Sequence, residues 1–129
     1  MADYCLIGKR LDYSYSKVVH NKLGYDYDLT EVKEEDLAAF VRSRRYKGFN
    51  VTIPYKKAVM PYLDEISEEA RTLGVVNLVM EEGGKLKGYN MDIRGMEYAL
   101  SRIGVSLKGK KVLILGSGNT SMTAEYLVG

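Results

Sequence analysis

Three short segments of this sequence bring together residue types that can hold a polar small molecule and move a proton. Ser14-Tyr15-Ser16 precedes a short helix expected from about Lys17 to Leu23. Ser16 is placed to be its N-cap, and both hydroxyls could join the helix N-terminus in holding an anion such as a carboxylate. The alternative is that Ser16 only caps the helix. In Asn50-Val51-Thr52-Ile53-Pro54-Tyr55-Lys56, Asn50 and Thr52 alternate with apolar neighbours and so share one side of a strand. Lys56 follows at the carboxyl end of that strand, where open α/β sheets place their ligands. Beside Lys57 it also reads as a solvated charge, and proton transfer would require a lowered pKa or a partner that fixes its geometry. Gly88-Tyr89-Asn90-Met91-Asp92 supplies a carboxylate able to orient Lys56. Asp92 is also a natural N-cap for the helix that follows, and the two uses are compatible.

A fourth segment, Gly116-Ser117-Gly118-Asn119-Thr120-Ser121, follows the apolar run Val112-Leu113-Ile114-Leu115 and opens a helix-compatible stretch. This is the setting of a dinucleotide-binding turn. Gly116 would allow the tight turn, Gly118 would let backbone approach a pyrophosphate, and the small Ser121 takes the third glycine's place. An ordinary tight turn is the competing reading. The residue that selects between the two nicotinamide cofactors belongs about 20 residues further on, and the sequence ends at Gly129 before reaching it.

The elements that must carry these residues alternate between strand-like and helix-like patterns, which predicts an α/β architecture. Strands are expected at Tyr4–Gly8, Tyr25–Leu29 and Phe49–Ile53, the last ended by Pro54, which has no N–H for a ladder. Leu37, Phe40 and Val41 give a helical face between Glu34 and Arg45, a segment with no good N-cap. Ser67 reads as the N-cap of a helix closed by Gly74. Val75–Met80 and Lys85–Tyr89 flank Glu81-Glu82-Gly83-Gly84 as a hairpin. Ile93, Met96, Leu100 and Ile103 form a helical stripe that Gly104 stops, and Val112–Leu115 reads as a buried parallel strand. The domain boundary is expected between about Ser101 and Gly109.

Composition narrows the function classes. With 129 residues, 46% hydrophobic and 28% charged, the chain suits one compact soluble domain. A net charge of +2 gives no reason to expect nucleic acid or a membrane surface as partner. The basic run Arg42 to Lys47 fits a solvated helix end. The single cysteine, Cys5, excludes an intrachain disulfide and suits a reducing compartment. No apolar stretch approaches the roughly 20 residues of a membrane span, so a cytoplasmic protein is expected. No metal-ligand spacing stands out.

Taken in order, Ser-x-Ser, Asn-Val-Thr-Ile-Pro-Tyr-Lys, Gly-Val-Val-Asn, Gly-Tyr-Asn-x-Asp and a Gly-x-Gly turn resemble shikimate dehydrogenase from Leu6 to Ser121. The resemblance implies an open, mostly parallel twisted sheet flanked by helices over residues 1–103, then an incomplete Rossmann β–α unit over 104–129. It implies NADPH-dependent reduction of 3-dehydroshikimate to shikimate in aromatic amino-acid biosynthesis. Lys56 and Asp92 would be the catalytic pair. Ser14, Ser16, Thr52 and Asn77 would bind substrate, with Asn50 a further candidate for the same pocket. Gly116, Gly118, Asn119 and Ser121 would meet NADP. The partner is then a small molecule, with a homodimer among the assemblies the family would allow, and the 129 residues alone are expected to have little or no activity.

The sequence departs from the family pattern at Tyr13 and Lys17, where histidine and proline are usual, and at Leu78 and Met91, where threonines are expected. Asn119 replaces a further glycine. His20 matches the family, but beside Val19 and Leu23 it reads as structural. Two alternatives stand beside the leading reading: a non-catalytic module that binds a shikimate-like ligand, and a related dehydrogenase acting on quinate or an analogue.

Overall fold

A computed structural model describes residues 2–129. It contains two compact units, Met1–Tyr89 and Asn90–Gly129.

The described residues of the first unit form one six-stranded sheet with β1 (Tyr4–Gly8), β2 (Tyr27–Glu31), β3 (Gly48–Val51), β4 (Glu65–Ile66), β5 (Leu78–Glu82) and β6 (Lys85–Tyr89), in the order β2-β1-β3-β5-β6-β4. The β1–β2, β1–β3 and β4–β6 pairs are parallel, and β5 enters antiparallel between β3 and β6. The expected open, mostly parallel α/β sheet is what forms.

Strand alternation divides the apolar residues between two faces. Cys5, Ile7, Phe49, Val51 and Val79 enter the main core with Leu37 and Val41 from α2 (Leu37–Ser43) and Ala70 from α3 (Glu68–Leu73). Leu6, Leu11 and Tyr27, with Tyr4 and Leu29 against them, form a smaller cluster on the opposite face. On that side α1 (Ser16–Lys22) buries none of its own residues, and His20 reaches β2 by stacking on Tyr27 at 3.8 Å.

Local signals set several boundaries as expected. Ser67 Oγ accepts the Ala70 N–H at 3.2 Å, and Gly74 ends α3 at φ +68°. The β5–β6 hairpin turns through Gly83 and Gly84, both at positive φ, as a two-residue turn requires. Other boundaries moved. β2 begins at Tyr27, not Tyr25, and β3 ends at Val51, not Ile53. The Glu34–Arg45 helix splits into a 3-10 turn, Glu34–Asp36, and α2, in keeping with its missing side-chain cap.

In the second unit α4 (Asp92–Arg102) and α5 (Asn119–Val128) gather Met96, Leu100, Val112, Ile114, Ala124 and Leu127 around a cavity of about 400 Å³. The expected buried strand at Val112–Leu115 is not formed, and Leu113 and Leu115 are 83% and 88% exposed. An apolar run becomes a strand only against a neighbour, and none of the described strands pairs with it. Among the described residues, no helix is long and apolar enough to cross a membrane.

Candidate functional site

The sheet direction brings several sequence-predicted residues to one edge. β1 and β3 are parallel, so Ser14 and Ser16 follow the same edge as Thr52 and Lys56. Because β5 runs antiparallel to β3, Asn77 precedes β5 at that edge, and β6 ends there at Tyr89. Backbone bonds tie the segments together. Thr52 N–H donates to Ile7 O at 3.0 Å, Val51 N–H to Asn77 O at 2.9 Å, Asn77 N–H to Tyr89 O at 3.0 Å, and Val76 N–H to Lys56 O at 2.9 Å. The main chains of Thr52, Lys56 and Asn77 are therefore fixed by the sheet itself.

Local devices fix the backbone on either side of these residues. Ser16 is the first residue of α1, one position inside the N-cap expected for it. Tyr15 occupies that position without a side-chain cap. Ser14 Oγ accepts the Ser16 N–H at 3.2 Å, so the earlier serine closes the helix entry. Upstream, Glu31 accepts the Leu11 N–H at 2.9 Å and holds the start of the same loop. After β3 the chain turns through Thr52 to Tyr55, closed by a 3.0 Å bond from Tyr55 N–H to Thr52 O. Tyr55 is buried and donates its hydroxyl to Val32 O, anchoring the residue before Lys56 in the core. Thr52 is half-buried over Gly8, where a Cβ would lie 2.7 Å from Thr52 Cγ2.

In the second unit, Asp92 is the first residue of α4 and Met91 stands at the N-cap, a correction to the capping role expected of Asp92. Buried Asn90 accepts the Asp92 N–H on its Oδ1 at 2.9 Å and takes over that role. The glycine turn leads directly into a helix. Gly116 is at φ +142°, a Cβ on either Gly116 or Gly118 would meet open space, and α5 starts at Asn119. By position the first N–H groups of that helix have no partner within it. Ser121 directs its hydroxyl to Gly118 O at 2.6 Å, so it shapes the turn.

Sequence reasoning passed over Gly8, Glu31, Tyr55 as an anchor, and Tyr27. A cavity of about 500 Å³ opens beside Asn50, with Tyr4, His20, Tyr27 and Met80 in its wall. Burial lowers the His20 pKa and raises that of the Tyr27 phenol. The basic run serves structure. Arg44 donates to Gly84 O at 2.7 Å, Arg45 lies over the Tyr46 ring and Lys47 pairs with Asp3. No metal-binding cluster of His, Cys, Asp or Glu occurs among the described residues.

The mostly parallel sheet and its flanking helices define an α/β domain. The family model of the shikimate dehydrogenase substrate binding domain matches residues 6–79. The chain therefore belongs to the shikimate dehydrogenase family. It is 40% identical to shikimate dehydrogenase (NADP(+)) of Pelodictyon phaeoclathratiforme, over 92% of this chain and 46% of that protein. The counterpart in Chlorobium phaeovibrioides is 42% identical, over 94% of this chain and 45% of the relative. Among solved structures, the Thermus thermophilus shikimate 5-dehydrogenase in complex with NADP(H) and shikimate matches at a TM-score of 0.88. It is 31% identical, covering 99% of this chain and 52% of that one. The Listeria monocytogenes enzyme in complex with shikimate and NAD matches at 0.90, with 32% identity over 98% of this chain and 47% of its own. The chain thus spans about half the length of the relatives it matches.

Proposed function

We propose that this chain is the substrate-binding part of a shikimate dehydrogenase, residues 1–103, followed by the start of its NADP-binding part, residues 104–129. The observation that supports this most is the convergence of Ser14, Ser16, Thr52, Lys56 and Asn77 on one sheet edge within a family match.

In this reading Ser14 and Ser16 anchor the substrate carboxylate, and Thr52 and Asn77 meet the ring hydroxyls, with Asn50 beside them. Binding energy from the unreactive carboxylate orients the reacting carbon. Lys56 gives a proton to the ketone oxygen of 3-dehydroshikimate during reduction and takes it back during shikimate oxidation, with Asp92 holding the ammonium in place. NADPH, when bound, supplies the hydride that reaches the carbonyl carbon. Gly116, Gly118, Asn119 and Ser121 form the turn that would hold its pyrophosphate. The chain spans about half the length of its relatives, so turnover is to be tested with the other half supplied. A homodimer is the assembly to test for once that half is present.

Leu78 and Met91 stand where the family pattern has hydroxyls, which keeps quinate or a related analogue as a second substrate reading. The experiment joins this chain to the C-terminal half of a relative and measures NADP+ reduction with shikimate and with quinate. Shikimate turnover that Lys56→Ala abolishes is the expected result. Shikimate binding without turnover in the joined protein would favour a non-catalytic module, and preferred turnover of quinate would reassign the substrate.

A further inference from the structure

Asn50 lies between two fixed partners. Its Nδ2 faces Asn77 O at 3.4 Å, and its Oδ1 faces the Tyr27 hydroxyl at 2.7 Å. A backbone carbonyl can only accept a hydrogen bond, so the Asn77 side must receive the amide nitrogen. The oxygen then faces Tyr27, and the phenol must be the donor. One amide flip state satisfies both contacts, and the other would set oxygen against oxygen at Asn77.

Tyr27 is itself held rigidly. It is buried on β2, and His20 of α1 stacks on its ring at 3.8 Å with planes 3° apart. His20 Nδ1 is in turn hydrogen-bonded to the Tyr25 hydroxyl. A continuous path therefore runs from α1, the helix that Ser16 opens, through the His20–Tyr27 stack to Asn50 and the Asn77 main chain.

We propose that Tyr27 is a positioning residue for substrate binding, whose hydroxyl donates to Asn50 Oδ1 and holds the side chain in the place where the Asn77 carbonyl selects its nitrogen edge. The proposal rests on the reading of Asn50 and Asn77 as substrate-facing. Its consequence for specificity is that Asn50 presents the one Nδ2 N–H that Asn77 O does not take, matched to an acceptor oxygen of the ligand.

The test uses the 129-residue chain labelled with 15N, and Tyr27→Phe, which keeps the stacked ring and removes the hydroxyl. Without ligand, the Asn50 side-chain amide pair should shift and exchange faster with solvent in Tyr27→Phe. With shikimate, the Kd should rise about three- to tenfold, the scale of one hydrogen bond, and the same substitution in an Asn50→Ala background should change it by less than about twofold. An unchanged Asn50 amide, or an equal loss in both backgrounds, would overturn the proposal. If Tyr27→Phe fails to fold, Asn50→Ala reads the contact from the other side. The Tyr27 hydroxyl proton should then exchange faster than in the parent chain, and unchanged exchange overturns the proposal. Failure of the parent chain to bind shikimate would count against the proposed function, whereas the ligand-free Asn50 signals decide the role of Tyr27 independently.

Discussion

Ser14 Oγ accepts the backbone N–H of Ser16, 3.2 Å away, so the two serines at the entry of α1 have different structural duties. Ser14→Ala removes a bond that closes the helix entry and should cost about 0.5–1.5 kcal/mol. Ser16→Ala keeps the N–H and should cost clearly less. Both should weaken shikimate binding. Urea denaturation of the two variants separates the roles, and equal destabilisation would contradict this account.

Gly8 leaves room for Thr52. A Cβ there would lie 2.7 Å from Thr52 Cγ2, 2.9 Å from Leu11 Cδ2 and 3.3 Å from Ile53 O. Gly8→Ala should therefore destabilise by about 1–3 kcal/mol and displace Thr52, weakening shikimate binding as well. Gly95, inside α4, has open space where its Cβ would go. Gly95→Ala should stabilise by about 0.5–1 kcal/mol through helix propensity. Similar effects of the two substitutions on the thermal midpoint would refute the steric argument.

Cys5 is fully buried, and burial pushes its thiol pKa up to about 12. Thiolate is the reactive form, so an aromatic disulfide reagent should leave the native chain unmodified at pH 8 and titrate one thiol after unfolding. Rapid labelling of the native chain would show that the main core opens readily.

The pH dependence of stability should carry a His20 component. Burial lowers the folded-state pKa below the ordinary 6.5. The unfolded chain consequently binds the proton first as pH falls, and stability is lost from about pH 6.5 down through the folded value. Above pH 6.5 this contribution is complete. In His20→Phe, which keeps a ring to stack on Tyr27, the slope of the urea midpoint between pH 6.5 and 5 should flatten. An unchanged slope would assign the effect to other groups.

Much of the fold was legible wherever the signal is local. Ser67 with Gly74 marks α3, paired glycines mark the hairpin, and the alternation at Phe49–Thr52 places Asn50 and Thr52 on one side. What could not be read depends on partners distant in sequence. Tyr27 and Asn50 are 23 residues apart and meet only because β1 lies between β2 and β3. The antiparallel insertion of β5, which carries Asn77 to the site edge, is likewise a property of strand order. Val112–Leu115 shows the converse, since apolarity alone suggested a buried strand that no described neighbour pairs with. At Asn90 and Asp92, residue type suggested the wrong cap because either side chain can do it, and the backbone decides which.

The central claim is that one edge of this sheet binds shikimate. Titration of the 15N-labelled chain with shikimate to millimolar concentration tests it most directly. The account predicts saturable shifts at Ser14, Thr52 and Asn77, with Gly83 and Gly84 in the hairpin turn unmoved. Absence of any response at those three residues would contradict it.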